Sequence, residues 1–294
     1  MKNIIFTFLF FLSTTLVGQT VDYTVSVLTI GPGNSLSDSF GHSAIRVQSK
    51  TKKYDLVFNY GVYDYNDPKF YSNFIKGYLK YSLGVSYFKD FKSSYIANNR
   101  YIKEQVLSLP DDLKEKLVDK LIFNSRPENK DYFYDYFDNN CSTVIRDLIK
   151  DLLSQYAYEN TYNSVASNKI SYRSLIYENI NKNSWGSLGI DICLGSYIDQ
   201  QIDSEKHTFL PEYLFEYLNS FYYSYSNNDK IIEGVKLVKN IRFINKVKEV
   251  ENSYINSSKE RMFDVINLLV TNAEGSVSLS DFSQIFKTVT VWIK

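Results

Sequence analysis

Residues 138–152, DNNCSTVIRDLIKDL, carry the clearest structural pattern in the chain. Apolar residues spaced three and four apart predict an amphipathic helix that packs on one side. Asn140, at the end of the polar run that precedes the pattern, can cap the helix N-terminus. The apolar face consists of Cys141, Val144, Ile145, Leu148, Ile149 and Leu152. The segment therefore predicts a packed helix that begins at Cys141.

Alternating segments before this helix, several of them rich in β-branched residues, predict an antiparallel sheet. Gly31-Pro32-Gly33-Asn34 predicts a turn between the first two, because Gly tolerates positive φ and Pro cannot extend a strand. Pro110 precedes a second helical pattern, which runs to about Phe123. The candidate strands are residues 21–30, 41–48, 54–60, 81–87 and 102–109. These elements predict an α+β fold in which an antiparallel sheet packs against the cysteine-bearing helix.

The composition excludes several classes of protein. The 294 residues include 33 Lys+Arg and 33 Asp+Glu, and this zero net charge argues against a nucleic-acid binder, which needs a basic excess. Two cysteines and two histidines are too few for a multi-Cys/His zinc site, so we expect neither metal nor cofactor. The aromatic content is 16%, which predicts an aromatic core or a surface that holds an apolar or planar ligand.

Residues 1–18 have the pattern of a secretory signal peptide. A single positive charge, Lys2, precedes an apolar run, and we expect export to the periplasm with cleavage near Gly18. An uncleaved anchor is the alternative, but the apolar run is short for a bilayer span. We expect no transmembrane segment in the mature chain and at most peripheral membrane contact. Residues 19–223 are predicted to form the main domain, and residues 224–294 a helical or mixed C-terminal extension.

Cys141 is a candidate nucleophile. It lies in the first turn of its predicted helix, where unpaired backbone N–H groups and the positive end of the helix dipole favour a thiolate. A small apolar residue on the packed face is the structural alternative, since free cysteine is among the most buried residue types.

A nucleophilic thiol needs a base, and the chain contains two imidazoles. His42 begins a predicted strand just after the glycine-rich turn, where its side chain can face a cleft, although a structural histidine is the alternative. His207 lies in a polar stretch and is predicted to lie at the surface. Asn59, on the next strand, is expected to orient His42 through its side-chain carbonyl, as in Cys-His-Asn sites, with Tyr60 as the alternative.

Other polar residues have purely structural interpretations. Cys141 and Cys193 can form a disulfide if export places them in an oxidising compartment, and that bond would abolish catalysis by Cys141. The position of Cys141 at a helix N-terminus argues against this pairing. We expect Arg46, Arg146 and Asp147 to form structural ion pairs.

Short blocks in a fixed order along residues 22–220 form a recognisable set. They are Leu28-Thr29-Ile30-Gly31-Pro32-Gly33, Phe40-Gly41-His42-Ser43-Ala44-Ile45-Arg46-Val47, Phe58-Asn59-Tyr60-Gly61, Asp138-Asn139-Asn140-Cys141-Ser142-Thr143, Arg146-Asp147, Gly189-Ile190-Asp191 and Phe209-Leu210-Pro211. The ordered set resembles the Lnb N-terminal periplasmic domain family.

This resemblance implies a fold, a site and an activity. The family is similar to circularly permuted papain-like or NlpC-like thiol enzymes, in which the histidine strand precedes the cysteine helix. It therefore implies Cys141 as the nucleophile and His42 as the base. Full-length proteins of this type resemble lipoprotein N-acyltransferases, which move a fatty acyl chain from phospholipid to a lipoprotein N-terminus. They carry a membrane domain after the periplasmic domain, whereas residues 221–294 here contain no spanning segment.

The sequence as a whole predicts an exported cysteine-dependent acyltransferase with Cys141, His42 and Asn59 as its catalytic residues. A phospholipid is the expected acyl donor and a lipoprotein N-terminus the expected acceptor. The first alternative is a cell-wall cysteine peptidase or amidase, which uses the same pair of groups. The second is a non-catalytic exported binding protein with Cys141 buried or in a disulfide.

Overall fold

The computed structural model describes residues 22–63, 73, 78–162, 170–227 and 230–247. The strands are β1 Tyr23–Ile30, β2 His42–Ser49, β3 Tyr54–Val62, β4 Lys80–Tyr87, β5 Ile102–Leu107, β6 Asp131–Phe133, β7 Tyr158–Asn160, β8 Ile170–Ser171, β9 Gln201–Ile202, β10 Phe221–Asn227, β11 Lys230–Lys236 and β12 Val238–Asn245. The helices are α1 Phe88–Ala97, α2 Asp111–Asn124, α3 Cys141–Leu153, α4 Tyr172–Asn179, α5 Trp185–Leu194 and α6 Pro211–Asn219. The predicted signal peptide, residues 1–18, lies outside the described residues.

Seven strands form one sheet in the order β12-β5-β1-β2-β3-β4-β6, and every pair in it is antiparallel. β1 and β2 pair along their whole length, from Tyr23 opposite Ser49 to Ile30 opposite His42. The glycine-rich loop between them therefore leaves and re-enters the sheet at one end, beside His42. The predicted α+β class with an antiparallel sheet is confirmed, and the permuted papain-like or NlpC-like arrangement stays a prediction.

Helix α3 covers the middle of one face of this sheet. Ile145, Ile149 and Leu153 repeat every four residues and are fully buried, where the helix packs on β2 and β3. Burial of each such side chain contributes about 1.5–3 kcal/mol. The helix begins at Cys141, as the sequence predicts, but Leu153 rather than Leu152 completes the buried face. Val144, Leu148 and Leu152 pack on the same core but are only partly buried, because the helix is rotated so that Ser142 and Arg146 also lie on its buried face.

Helix α1 covers the opposite face of the same sheet. Phe88 and Phe91 of this helix pack on Leu28, Ala44 and Val57. Because both faces are covered, consecutive residues of the central strands are buried, from Val25 to Ile30 in β1 and from Ser43 to Val47 in β2. The end of the sheet where His42 lies is therefore flanked by α3 on one face and by α1 on the other.

The described part of the predicted C-terminal extension is strand, so the prediction of a helix there is wrong. Phe221–Asn227, Lys230–Lys236 and Val238–Asn245 form β10, β11 and β12, and β12 pairs with the edge of β5 in the main sheet. Leu237 and Val238 are buried in the main core. The β-branched residues of this segment favour an extended backbone, and β5 offers an open edge whose N–H and C=O groups need partners. Residues 248–294 lie outside the described residues.

Among the helices that the structure describes in residues 22–247, none is both long and apolar enough to cross a bilayer.

Candidate active site

The N-terminus of α3 is fixed by the side chain of Asn140. Its Oδ1 accepts the backbone N–H groups of Ser142 at 2.8 Å and Thr143 at 2.9 Å. The Thr143 hydroxyl in turn accepts the Asn140 backbone N–H at 2.8 Å, which completes a capping box. Cys141 is thereby held as the first residue of the helix, where the dipole favours negative charge.

His42 lies at the end of the sheet that is next to the N-terminus of α3. The paired part of β2 and β3 ends at Ile45 opposite Phe58, and His42 and Asn59 lie just beyond it. The Nε2 atom of His42 is 2.5 Å from Oδ1 of Asn59. Because Asn59 Oδ1 can only accept, Nε2 carries the hydrogen and Nδ1 is left to exchange a proton with another group.

The Cys141 thiol interacts with the imidazole of His42. Gly61 explains how the two side chains reach each other, because it forms a bulge in β3 with a φ of +94°. A Cβ atom at this glycine would lie 3.8 Å from Cβ of Cys141 and 4.0 Å from Cε1 of His42. Both side chains therefore border the space that this glycine leaves free.

A contact between buried hydroxyl groups joins the two elements next to these residues. Ser43 follows His42 and Ser142 follows Cys141, and their Oγ atoms are 2.9 Å apart. Ser142 Oγ also lies 3.9 Å from the Cys141 sulfur. Both serines are fully buried, so helix and strand are joined where the thiol and imidazole meet.

The electrostatic environment favours a thiolate and an imidazolium. Burial alone would raise the pKa of Cys141, but the charge and hydrogen bond of His42, with smaller effects from Ser43 and Ser142, lower it below its usual value. Burial alone would lower the pKa of His42, but the Cys141 charge and the bonds to Cys141 and Asn59 raise it above its usual value. Each group therefore stabilises the charged form of the other.

Tyrosines form one border of the site. Tyr134 lies 3.8 Å from the same point above Gly61 that Cys141 approaches. Its ring stacks on Tyr81 with centroids 4.4 Å apart and meets Tyr136 edge-on at 5.6 Å. Burial raises the pKa of Tyr134 well above its usual value, and the Cys141 charge raises it further. We call Tyr81, Tyr134 and Tyr136 the aromatic wall.

Tyr60 does not contact His42. Its hydroxyl accepts a hydrogen bond from Nδ2 of Asn124 at 2.9 Å, on the face of the sheet that α2 and α3 cover. Successive residues of a strand point to opposite faces, so Asn59 and Tyr60 cannot both reach the imidazole. Of the two residues considered from the sequence, Asn59 is the one that the structure brings to His42.

The prediction that His207 lies at the surface is wrong. His207 is only 1% exposed, and neither of its ring nitrogens has a hydrogen-bond partner among the described residues. It lies in the short 3₁₀ segment Lys206–Phe209, which packs against α3 and α6, and its ring meets Tyr213 edge-on. The polar residues that precede it give a local surface pattern, but the docking of this segment buries the imidazole.

The predicted ion-pairing residues belong to two separate networks. Arg46 binds Asp55 at 2.7 Å and the buried carboxylate of Glu104 at 2.9 Å. Arg146 binds its neighbour Asp147 at 2.7 Å and donates to Thr208 Oγ1 at 2.9 Å. These contacts connect strands and helices beside the site without touching the thiol.

Cys141 and Cys193 are both free thiols in the structure, the first buried and the second exposed on α5. Within the described part of the chain, no cluster of His, Cys, Asp and Glu is arranged to hold a metal ion. Two residues near His42 are not among the predicted site residues: Tyr95 stacks on the imidazole, and Arg100 packs on Tyr95. No local pattern marks either residue, because their proximity to His42 depends on how α1 packs on the sheet.

Comparison with known proteins identifies one family. A model of the family described as Lnb N-terminal periplasmic domain matches residues 19–176, just over half of the chain. The matched segment includes His42, Asn59 and Cys141. No curated protein and no solved structure matches the chain.

Proposed function

The chain belongs to the Lnb N-terminal periplasmic domain family, and we propose that it is an exported cysteine-dependent acyltransferase. It moves an acyl chain from a phospholipid, through a thioester on Cys141, to the amine of a lipoprotein N-terminus. The observation that carries this proposal is the position of the His42 imidazole, which lies 2.5 Å from Asn59 Oδ1 and borders the same space at Gly61 as the Cys141 side chain. A nucleophile, a base and a group that orients the base are the parts that covalent acyl transfer requires.

The first half of the reaction forms the thioester. His42 takes the proton of the Cys141 thiol, and the sulfur attacks the ester carbonyl carbon of the phospholipid. The resulting tetrahedral oxyanion collapses with cleavage of the ester C–O bond, and the His42 imidazolium gives its proton to the departing alkoxide. The lysophospholipid alcohol leaves, and the acyl chain stays on the sulfur.

The second half returns the enzyme to its starting state. The acceptor amine attacks the thioester carbonyl, and His42 takes the proton that the amine loses. The C–S bond breaks, an amide leaves, and the proton on His42 balances the thiolate on Cys141. A thioester suits this step because it reacts readily with amines.

The capping of α3 determines which backbone N–H group of the first turn we assign as the hydrogen-bond donor to the oxyanion. The side chain of Asn140 already occupies the N–H groups of Ser142 and Thr143. The N–H of Cys141 itself is the first-turn donor that we assign to the developing oxyanion. It belongs to the nucleophile, so it lies close to the carbonyl that the sulfur attacks.

The aromatic wall supports an acyl chain as the transferred group. Its rings come from β4 and from the segment after β6, and Tyr134 lies against the space at Gly61 that the Cys141 side chain borders. Apolar rings beside the thioester keep water away from it and reduce hydrolysis in competition with the amine. A peptidase would need polar groups for a peptide backbone at this place.

The test is incubation of the full chain with a phospholipid that carries a labelled acyl chain, followed by mass spectrometry of the cysteine-containing peptides. We expect a hydroxylamine-sensitive acyl adduct on Cys141. His42→Ala should suppress its formation and Cys141→Ser should remove the thioester. Cys193→Ser is the matched control, because it removes the exposed thiol and should leave the adduct unchanged.

Two outcomes would overturn the proposal. Equal labelling of Cys193 would show non-specific acylation of thiols. Cleavage of a cell-wall peptide by the wild-type chain, without any lipid adduct, would assign the same residues to a cysteine peptidase or amidase.

A further inference from the structure

Arg100 is a buried cation beside the candidate active site. Its side chain is 6% exposed, and it lies in the turn between α1 and β5. One terminal nitrogen binds Asp38 at 2.6 Å, and Nε donates to the backbone carbonyl of Gly31 at 2.8 Å. The other terminal nitrogen, Nη2, is buried without a hydrogen-bond partner in the described part of the chain. The burial of a guanidinium with one unpaired nitrogen costs free energy, so we expect Arg100 to have a role inside the fold that offsets this cost.

A column of stacked groups connects Arg100 to His42. The guanidinium carbon lies 4.9 Å from the ring centroid of Tyr95. The Tyr95 ring stacks on the imidazole of His42, with centroids 6.5 Å apart and planes inclined by 22°. The backbone N–H of Arg100 also donates to the Tyr95 carbonyl at 3.0 Å, which fixes both residues at the end of α1.

Arg100 also fixes the loop that delivers His42 to the sheet. The loop runs from Gly31 to Gly41, and a Cβ atom at Gly33 would lie 2.8 Å from Asp38 Cβ and 3.2 Å from Arg100 Cδ. The loop backbone therefore rests directly on the Asp38–Arg100 pair. Gly41 ends the loop with a φ of +76°, and its N–H donates to the Asp38 carbonyl at 3.0 Å.

We propose that Arg100 is a positioning residue for His42, which orients the imidazole through Tyr95 and the Asp38-anchored loop. The proposal rests on the Cys141–His42 pair of the proposed function. It adds to that pair a charged group that touches neither the thiol nor a substrate.

The charges around His42 determine in which direction Arg100 shifts the pKa of the imidazole. Cys141 faces the imidazole from α3, Asn59 from β3 and Tyr95 from α1, while Arg100 and Asp38 lie in the adjoining turn and loop. The positive charge of Arg100 lowers the pKa of His42, against the larger opposite effect of Cys141. Asp38 offsets part of the Arg100 charge. An imidazolium that held its proton too strongly would be a poor acid for the leaving alkoxide, so Arg100 keeps the base useful in both directions.

The test is an NMR titration of the imidazole Cε1–H signals in the full chain. The chain has only two histidines, so His207→Gln assigns the signals. Arg100→Gln should raise the His42 midpoint by ~0.5 pH unit or more, about a threefold gain in proton affinity. Arg100→Lys keeps the charge and should stay near the wild-type value. Asp38→Asn leaves the Arg100 charge unbalanced and should lower the midpoint.

Opposite shifts in Arg100→Gln and Asp38→Asn are the signature of the proposal. A merely structural role would loosen the same loop in both variants and move the midpoint in the same direction, and that result, or no shift in either, would overturn it. If Arg100→Gln does not fold, the comparison of Asp38→Asn with Arg100→Lys decides. A lower His42 midpoint in Asp38→Asn supports the proposal, and an equal or higher midpoint overturns it. The titration needs no acyl donor, so its result is independent of whether the chain transfers acyl groups.

Discussion

Ser43 and Ser142 meet through hydroxyl oxygens 2.9 Å apart, and both side chains are fully buried. This contact attaches the N-terminus of α3 to the start of β2. Each serine immediately follows one of the two groups of the candidate pair, His42 or Cys141. A shift of the helix relative to the strand would therefore break this hydrogen bond and separate the thiol from the imidazole together.

The serine contact should behave as one unit in unfolding experiments. Ser43→Ala or Ser142→Ala alone leaves a buried hydroxyl without its partner and should cost about 1–3 kcal/mol of unfolding free energy. The double variant removes both hydroxyls, so its loss should be smaller than the sum of the single losses. Urea unfolding of the four proteins measures this coupling, and additive losses would contradict it.

The Cys141 thiol should react as a thiolate at low pH. In a Cys193→Ser background, the alkylation rate with iodoacetamide should rise with a midpoint below the ~8.5 of a free thiol. His42→Ala removes the group that lowers the Cys141 pKa, so it should move the midpoint upward. The reverse background, Cys141→Ser, provides the exposed Cys193 thiol as a reference. An unreactive Cys141 below pH 8 would contradict the thiolate–imidazolium pair.

The roles of Asn59 and Tyr60 can be distinguished by two matched substitutions. Asn59→Ala removes the acceptor for Nε2 of His42 and frees the ring to rotate, so acyl transfer should fall about a hundredfold. Tyr60→Phe removes only the hydroxyl that accepts from Asn124, so it should lower stability and leave the transfer rate nearly unchanged. Measurement of kcat for both variants checks this, and an equal loss in the two would point to a general packing defect.

The helix of Cys141 could be predicted from the sequence because its signals are local. Asn140 supplies the cap, and the apolar residues from Cys141 to Ile149 repeat at helical spacing within the segment itself. The central strands were predictable for the same reason. The pairing of His42 with Cys141 could be predicted from the chemistry of the residue types, because the chain contains only two imidazoles.

Other features depend on contacts between distant elements and leave no local pattern. Tyr95 and Arg100 reach His42 only because α1 packs on one face of the sheet. The choice between Asn59 and Tyr60 needs the face to which each residue of β3 points. The strands of residues 221–245 depend on the open edge of β5, and the burial of His207 depends on the docking of a polar segment against α3 and α6.

Burial of His207 should make the protein sensitive to mild acid. Burial lowers the pKa of His207, against smaller opposite effects of Asp203 and Glu178, so the folded chain protonates this imidazole at a lower pH than the unfolded chain does. The unfolded chain takes up a proton below about pH 6.5, and stability is therefore lost as the pH falls through that value. The loss is at most about 1.4 kcal/mol per pH unit, the slope for one proton.

His207→Phe should remove this part of the pH dependence and keep the edge-on contact with Tyr213. The measurement is the unfolding free energy in urea between pH 7.5 and pH 5, compared between wild type and variant. His42→Ala is the matched control, because it removes the other imidazole and should retain the loss that His207 causes. The pKa of His42 is raised in the folded state, so its own contribution is present at low pH and disappears as the pH rises. Parallel stability curves for wild type and His207→Phe would mean that His207 is protonated equally in both states, in conflict with a neutral buried imidazole.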